Sequence, residues 1–163
     1  MVVFIAPSTS DGGNYGFEVK NYVDAGIWQH VAFTFDSGTV NTYKNGNNQA
    51  NVNFNLNSDS GVNTILHADT NVVIGQFPGL GRNFTGEIDD VALFKVALTD
   101  GQITRLYNKG RRAVDIACMN GLQSWYRMGD EDTITATTVT DSGPKGNNGV
   151  IYGADSGYPF YAR

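Results

Sequence analysis

The chain has 163 residues and a formal charge of −5, from 11 Lys and Arg against 16 Asp and Glu, a size that suits one domain or one domain with part of another. With 40% hydrophobic and 17% charged residues, it is neither an acidic disordered tail nor a coiled coil. The acidic balance argues against a nucleic-acid partner, whose phosphates require clustered Lys and Arg.

Cys118 is the only cysteine, which excludes an internal disulfide framework and a cysteine-based zinc cage. No apolar run approaches the ~20 residues of a bilayer span, so no membrane insertion is expected. The opening Met1-Val-Val-Phe-Ile-Ala lacks the basic leader and long apolar core of a signal peptide. The 20 glycines and abundant asparagines favour turns, and the 8 Tyr and 9 Phe favour strands.

Short alternating runs separated by turn residues are the pattern of an all-β sandwich. Residues 2–6 and 15–20 read as the first two strands, the second alternating Tyr15, Phe17 and Val19 against Gly16, Glu18 and Lys20. Residues 28–35 follow, with Trp28, His30, Ala32 and Thr34 on one side and Val31, Phe33 and Phe35 on the other. Asp36-Ser-Gly-Thr39 reads as a tight hairpin turn, residues 40–44 return, and Asn45-Gly46 is the strongest short turn signal in the chain. Further strands are expected at 51–56 and 71–76, with Gly79 and Gly81 breaking the second. Residues 86–94 form the longest strand candidate.

Thr99-Asp-Gly-Gln102 has capping-box spacing, and Ile103, Leu106 and Tyr107 sit at helical spacing behind it. Residues 99–108 therefore read as the single short helix, ended by Gly110. Lys109-Gly-Arg-Arg112 reads as a solvated linker. Strands are expected at 122–128 and 150–153 around a turn cluster at 141–148, and an aromatic stretch at 158–161 closes the chain.

Trp28-Gln-His-Val-Ala-Phe-Thr-Phe-Asp36 followed by Tyr43-Lys-Asn-Gly46 resembles a laminin-G-like domain of the concanavalin-A-like lectin/glucanase superfamily. Val73-Ile-Gly75, Phe84-Thr-Gly-Glu-Ile-Asp-Asp-Val91, Ala97-Leu-Thr99 and Leu106-Tyr107 continue the same pattern in order, so the resemblance covers roughly residues 15–108. It implies a jelly-roll β-sandwich of two antiparallel sheets with one short helix. It does not fix function, since this fold carries lectins, hydrolases and adhesive modules alike.

Gly121-Leu-Gln-Ser-Trp-Tyr-Arg-Met-Gly-Asp130 and Asp141-Ser-Gly-Pro-Lys-Gly-Asn-Asn-Gly149 resemble how such domains begin. The Trp-Tyr-Arg-Met-Gly-Asp form is similar to modules in structural proteins of marine tailed phages. The expected organisation is a sandwich over residues 1–110, a linker over 111–120, and strands over 121–163 that pack on that sandwich or on a neighbouring copy. A circular permutation, a strand exchange between copies and a fragment of a tandem array are all compatible with this order.

A jelly-roll glycosidase of retaining type resembles its relatives in a strand motif Glu-x-Asp-x-Glu, whose alternation lines a cleft with carboxylates. Glu87-Ile-Asp89 supplies two of these, but Val91, with Ala92 next, stands where the third is needed. No hydrolytic activity is expected. His30 reads as a structural residue and His67 as a solvated loop residue; neither has the context of a serine triad or a zinc site.

The resemblance makes Ca²⁺ the plausible ion, held at the sandwich rim by candidates among Asp36, Asp69, Asn71, Asp89 and Asp90. For a ligand or partner the candidates are Tyr22, Phe77 and Leu80, the last two in Phe77-Pro-Gly-Leu-Gly81, while Trp28 and Trp125 read as core residues. The leading expectation is a structural or adhesive virion module that contacts other copies of itself or other virion proteins. A calcium-dependent glycan-binding lectin is the alternative.

Overall fold

Turn chemistry punctuates this chain so densely that its strands are short. The computed structural model describes residues 2–4, 16–18, 22–37, 39–49, 71–77, 82–111, 114–128, 135 and 137–151. These hold eleven short β-strands, one α-helix and one 3-10 turn. The strands pair antiparallel in small sheets of two or three. The chain divides into two compact units, one of Met1–Asn71 with Ala97–Val114, the other of Val72–Val96 with Asp115–Arg163.

In the first unit, β1 (Val2–Phe4) pairs with β2 (Gly16–Glu18). A second sheet runs β3 (Val31–Asp36), β4 (Thr39–Lys44) and β5 (Asn47–Asn48) in that order. Both expected hairpin turns form. Asp36 pairs with Thr39 across a two-residue loop, and Lys44 pairs with Asn47 across Asn45-Gly46. Positive φ at Asn45 (50°) and Gly46 (76°) matches the twist of a type I′ turn.

Helix α1 (Asp100–Tyr107) begins as its spacing predicts: the Gln102 N–H donates to Thr99 Oγ1, and the Thr99 N–H donates to Gln102 Oε1. It ends earlier than Gly110, because Asn108 takes the left-handed conformation at φ 47° and opens the 3-10 turn Asn108–Gly110. The helix seats on the sheet through polar contacts. Tyr43 Oη donates to Asp100 Oδ1 at 2.7 Å, and Thr104 Oγ1 donates to the Gly46 carbonyl at 3.0 Å. A Cβ at Gly46 would lie 3.0 Å from the Tyr107 ring, so glycine serves here both the turn and the close approach.

Burial along β3 does not follow hydropathy. Thr34 is buried, as is Tyr43, which shares a face with it, while Val31 and Phe33 stay exposed. Residues 28–30 precede the strand rather than belong to it, and Trp28 is 49% exposed, contrary to its reading as core.

In the second unit, β6 (Gln76–Phe77) and β7 (Arg82–Asn83) form a small hairpin. β8 (Val91–Phe94) pairs with β9 (Leu122–Tyr126), with a register shift between Leu93 and Phe94. β10 (Thr138–Val139) pairs with β11 (Gly149–Val150), and Tyr126 bridges to Asp141. Leu122, Ser124, Trp125, Val139, Asp141 and Ile116 are buried.

The strand expected over 86–94 is shortened to its last four residues. Gly86 (φ 156°) and Asp90 (φ 50°) depart from the extended conformation, and Asp89 Oδ1 accepts the Asp90 N–H, a local bond that competes with sheet pairing. Of the strand expected over 71–76, only Gln76 is extended in a sheet, as the first residue of β6. The expected strand at 51–56 and the aromatic stretch at 158–161 lie outside the described residues.

Candidate functional site

In the first unit an exposed loop leads into β3. Its turn is carried by Gly26 at φ 81°. Gln29 clamps the loop from below: its Nε2 donates to the Asp24 carbonyl at 2.8 Å and its Oε1 accepts the Asp24 N–H at 3.3 Å. Lys44 Nζ on β4 pairs with Asp24 Oδ2 at 2.6 Å. The clamped loop displays Ile27 at 62% and Trp28 at 49% exposure, next to the exposed Val31 and Phe33 of β3. The sequence signal for this exposed pair is its place directly after the Gly26 turn and before β3.

His30 belongs to the framework of this loop. Its N–H donates to Asn45 Oδ1 at 3.0 Å, its carbonyl accepts the Asn45 N–H at 2.8 Å, and its ring lies 6.0 Å from that of Tyr107. Burial lowers its pKa, which favours the neutral imidazole. Tyr22, expected at a binding surface, is buried, and its Oη donates to the Tyr43 carbonyl. Burial pushes that hydroxyl up to about 12.

In the second unit, Glu87, Asp89 and Asp90 are exposed and precede β8, so strand alternation does not aim them into a common cleft. Asp90 Oδ1 accepts the Trp125 indole N–H at 3.2 Å. The Arg127 guanidinium lies 5.0 Å from the Trp125 ring centroid. Trp125 is buried, as its pattern predicts.

Asp141 is the most tightly held carboxylate described. It accepts the backbone N–H of Trp125 at 2.7 Å, of Gly143 at 2.8 Å and of Asn147 at 2.8 Å, and its own N–H donates to Asn148 Oδ1 at 3.0 Å. Burial favours its neutral form, but the N–H donors outweigh burial and hold its carboxyl below the usual value. The sequence marks this stretch as a turn cluster; the role of Asp141 as its hub requires knowing that Trp125 lies beside it.

Among the described residues, no three of His, Cys, Asp and Glu gather as a metal site would require. Asp36, whose Oδ1 accepts the Ser37 hydroxyl, sits at the end of β3, Asn71 is exposed, and Asp69 lies outside the described residues. Asp36 and Asn71 belong to the first unit, Asp89 and Asp90 to the second. Of the Phe77 loop, Phe77 has its backbone on β6, and Leu80 lies outside the described residues.

A family model described as the concanavalin A-like lectin/glucanases superfamily, of laminin-G-like type, matches residues 3–104. The chain belongs to this family. No curated protein and no solved structure matches it. The concanavalin A-like match runs from β1 into α1 and includes β8, whereas β9, the partner of β8, lies beyond it. As its description records, this superfamily holds both lectins and glucanases.

Proposed function

We propose that this concanavalin A-like chain is a non-enzymatic structural or adhesive module of a phage virion, in its capsid decoration or tail. It works through contacts with other copies of itself or with other virion proteins. The reading takes the fold to be the family's jelly roll of two antiparallel sheets. The observation that carries it is the apolar surface on display in each unit. Ile27, Trp28 and Phe33 are exposed in the first, Val72, Phe84 and Ile88 in the second. Contacts between protein surfaces bury apolar side chains of this kind. The Trp125-Tyr-Arg-Met-Gly-Asp130 resemblance supports the virion setting.

Two observations favour a non-enzymatic role. Val91 stands where a retaining glycosidase has its third carboxylate, and Glu87 and Asp89 lie outside the strand that would align them. No turnover of a β-glucan is expected. Sedimentation of the purified chain over a concentration series tests the reading. Self-association that Ile27→Asp with Phe84→Asp weakens is the expected result.

The exposed Trp28 beside Asp24, Gln29 and Lys44 favours a second reading, a glycan-binding lectin with an aromatic platform and polar partners. A chain that stays monomeric at every concentration, and binds a glycan only until a chelator removes calcium, would replace the first reading with this one.

A further inference from the structure

The sequence holds three Asn-Gly steps, at Asn45, Asn120 and Asn148. Asparagine followed by glycine is the step most open to spontaneous succinimide formation, because no side chain shields the glycine nitrogen from the asparagine amide carbon. The fold treats the three differently. Asn45 Oδ1 accepts the His30 N–H at 3.0 Å, beneath the packed Tyr107 ring. Asn148 Oδ1 accepts the Asp141 N–H at 3.0 Å, and Gly149 is paired in β11. Asn120 is exposed, and its side-chain amide makes no hydrogen bond among the described residues.

Asn120 lies in a turn closed by the Leu122 N–H on the Met119 carbonyl at 3.3 Å, with Gly121 at φ 85°. Its amide is thus free to rotate toward the backbone, whereas the other two are tethered.

We infer that Asn120-Gly121 is a self-modification site in the folded chain, with water as its co-reactant. The Gly121 nitrogen attacks Cγ of Asn120, the new N–Cγ bond forms as Cγ–Nδ2 breaks, and the displaced nitrogen leaves as ammonia with the glycine amide proton. Water then opens the succinimide at either carbonyl, leaving aspartate or isoaspartate at position 120. Both products add a negative charge, and isoaspartate adds a methylene to the main chain immediately before β9. Gly121 anchors that point, since its carbonyl accepts the Lys95 N–H at 2.9 Å and a Cβ there would lie 2.4 Å from Val96 Cγ2.

Trypsin separates the three steps, because cleavage after Lys44, Arg82, Arg112, Arg127 and Lys145 places them in the peptides 45–82, 113–127 and 146–163. The folded chain is aged in mildly alkaline buffer and digested, and the amide-to-acid mass change is followed in each peptide. The expected result is conversion of 113–127 several-fold faster than either other peptide, with the three rates drawing together when the chain is aged in denaturant. Conversion of 45–82 or 146–163 at the same rate or faster in the folded chain would overturn the assignment, as would the same ranking in denaturant.

Discussion

Asp141 accepts three backbone N–H groups from two segments, so its carboxylate stands in for the ladder bonds that a tight turn cannot make. Asp141→Ala would leave the buried Trp125 N–H unsatisfied at about 1–3 kcal/mol and remove two part-buried bonds from Gly143 and Asn147, and a loss of at least about 2 kcal/mol in urea unfolding is expected. Its folded pKa lies below the unfolded value of about 3.9, so the stabilisation is complete above that pH and declines as pH falls through the folded pKa. The urea midpoint of the native chain should therefore fall with acidification below about pH 4, and in Asp141→Asn this part of the slope should vanish. Tyr22 acts with the opposite sign. Its hydroxyl is raised to about 12, so its contribution is present below about pH 10 and lost on the way to about 12. Tyr22→Phe should flatten that alkaline decline. Neither hub was legible in the sequence as such. Asp141 reads as one of several turn residues, and Tyr22 as a surface aromatic, because their partners Trp125 and Tyr43 are distant in the chain.

The short elements follow local chemistry closely. The Thr99 capping box and the Asn45-Gly46 turn both form where the sequence places them, since each depends on residues within three positions of one another. Thr99→Ala should cost about 1 kcal/mol of stability, read as a lowered melting temperature. Gly143→Ala should destabilise by about 1–3 kcal/mol, because its Cβ would meet the Ser124 Cα and the Trp125 nitrogen at 2.9 Å each. Strand ends are where sequence reading fails. The alternating run before β8 includes Asp90, whose left-handed backbone stops the strand. In β3, Phe33 is exposed and Thr34 covered, the reverse of what side-chain hydropathy alone predicts.

At the scale of the molecule, β8 finds its partner in β9, a stretch beyond the family match. Removing residues 119–163 would take β9, β10 and β11 away and leave β8 with an unpaired edge. Loss of a cooperative thermal transition and of soluble protein is the expected outcome; an unchanged melting temperature and mass would show that the pairing is dispensable. The family was legible because its motifs are contiguous. The unit boundaries were not, because the chain leaves the first unit at Val72, returns at Ala97 and leaves again at Asp115.

That interleaving has a consequence for biosynthesis. Residues 72–96 emerge from the ribosome before the first unit has received its helix, and Phe94 must wait 28 residues, from 94 to 122, for the start of its partner strand. At ~5–20 residues per second the nascent chain carries an apolar Val-Ala-Leu-Phe segment without its mate for on the order of seconds. Translation slowed within residues 95–121 would prolong that interval, and the yield of native protein should then depend on chaperone supply.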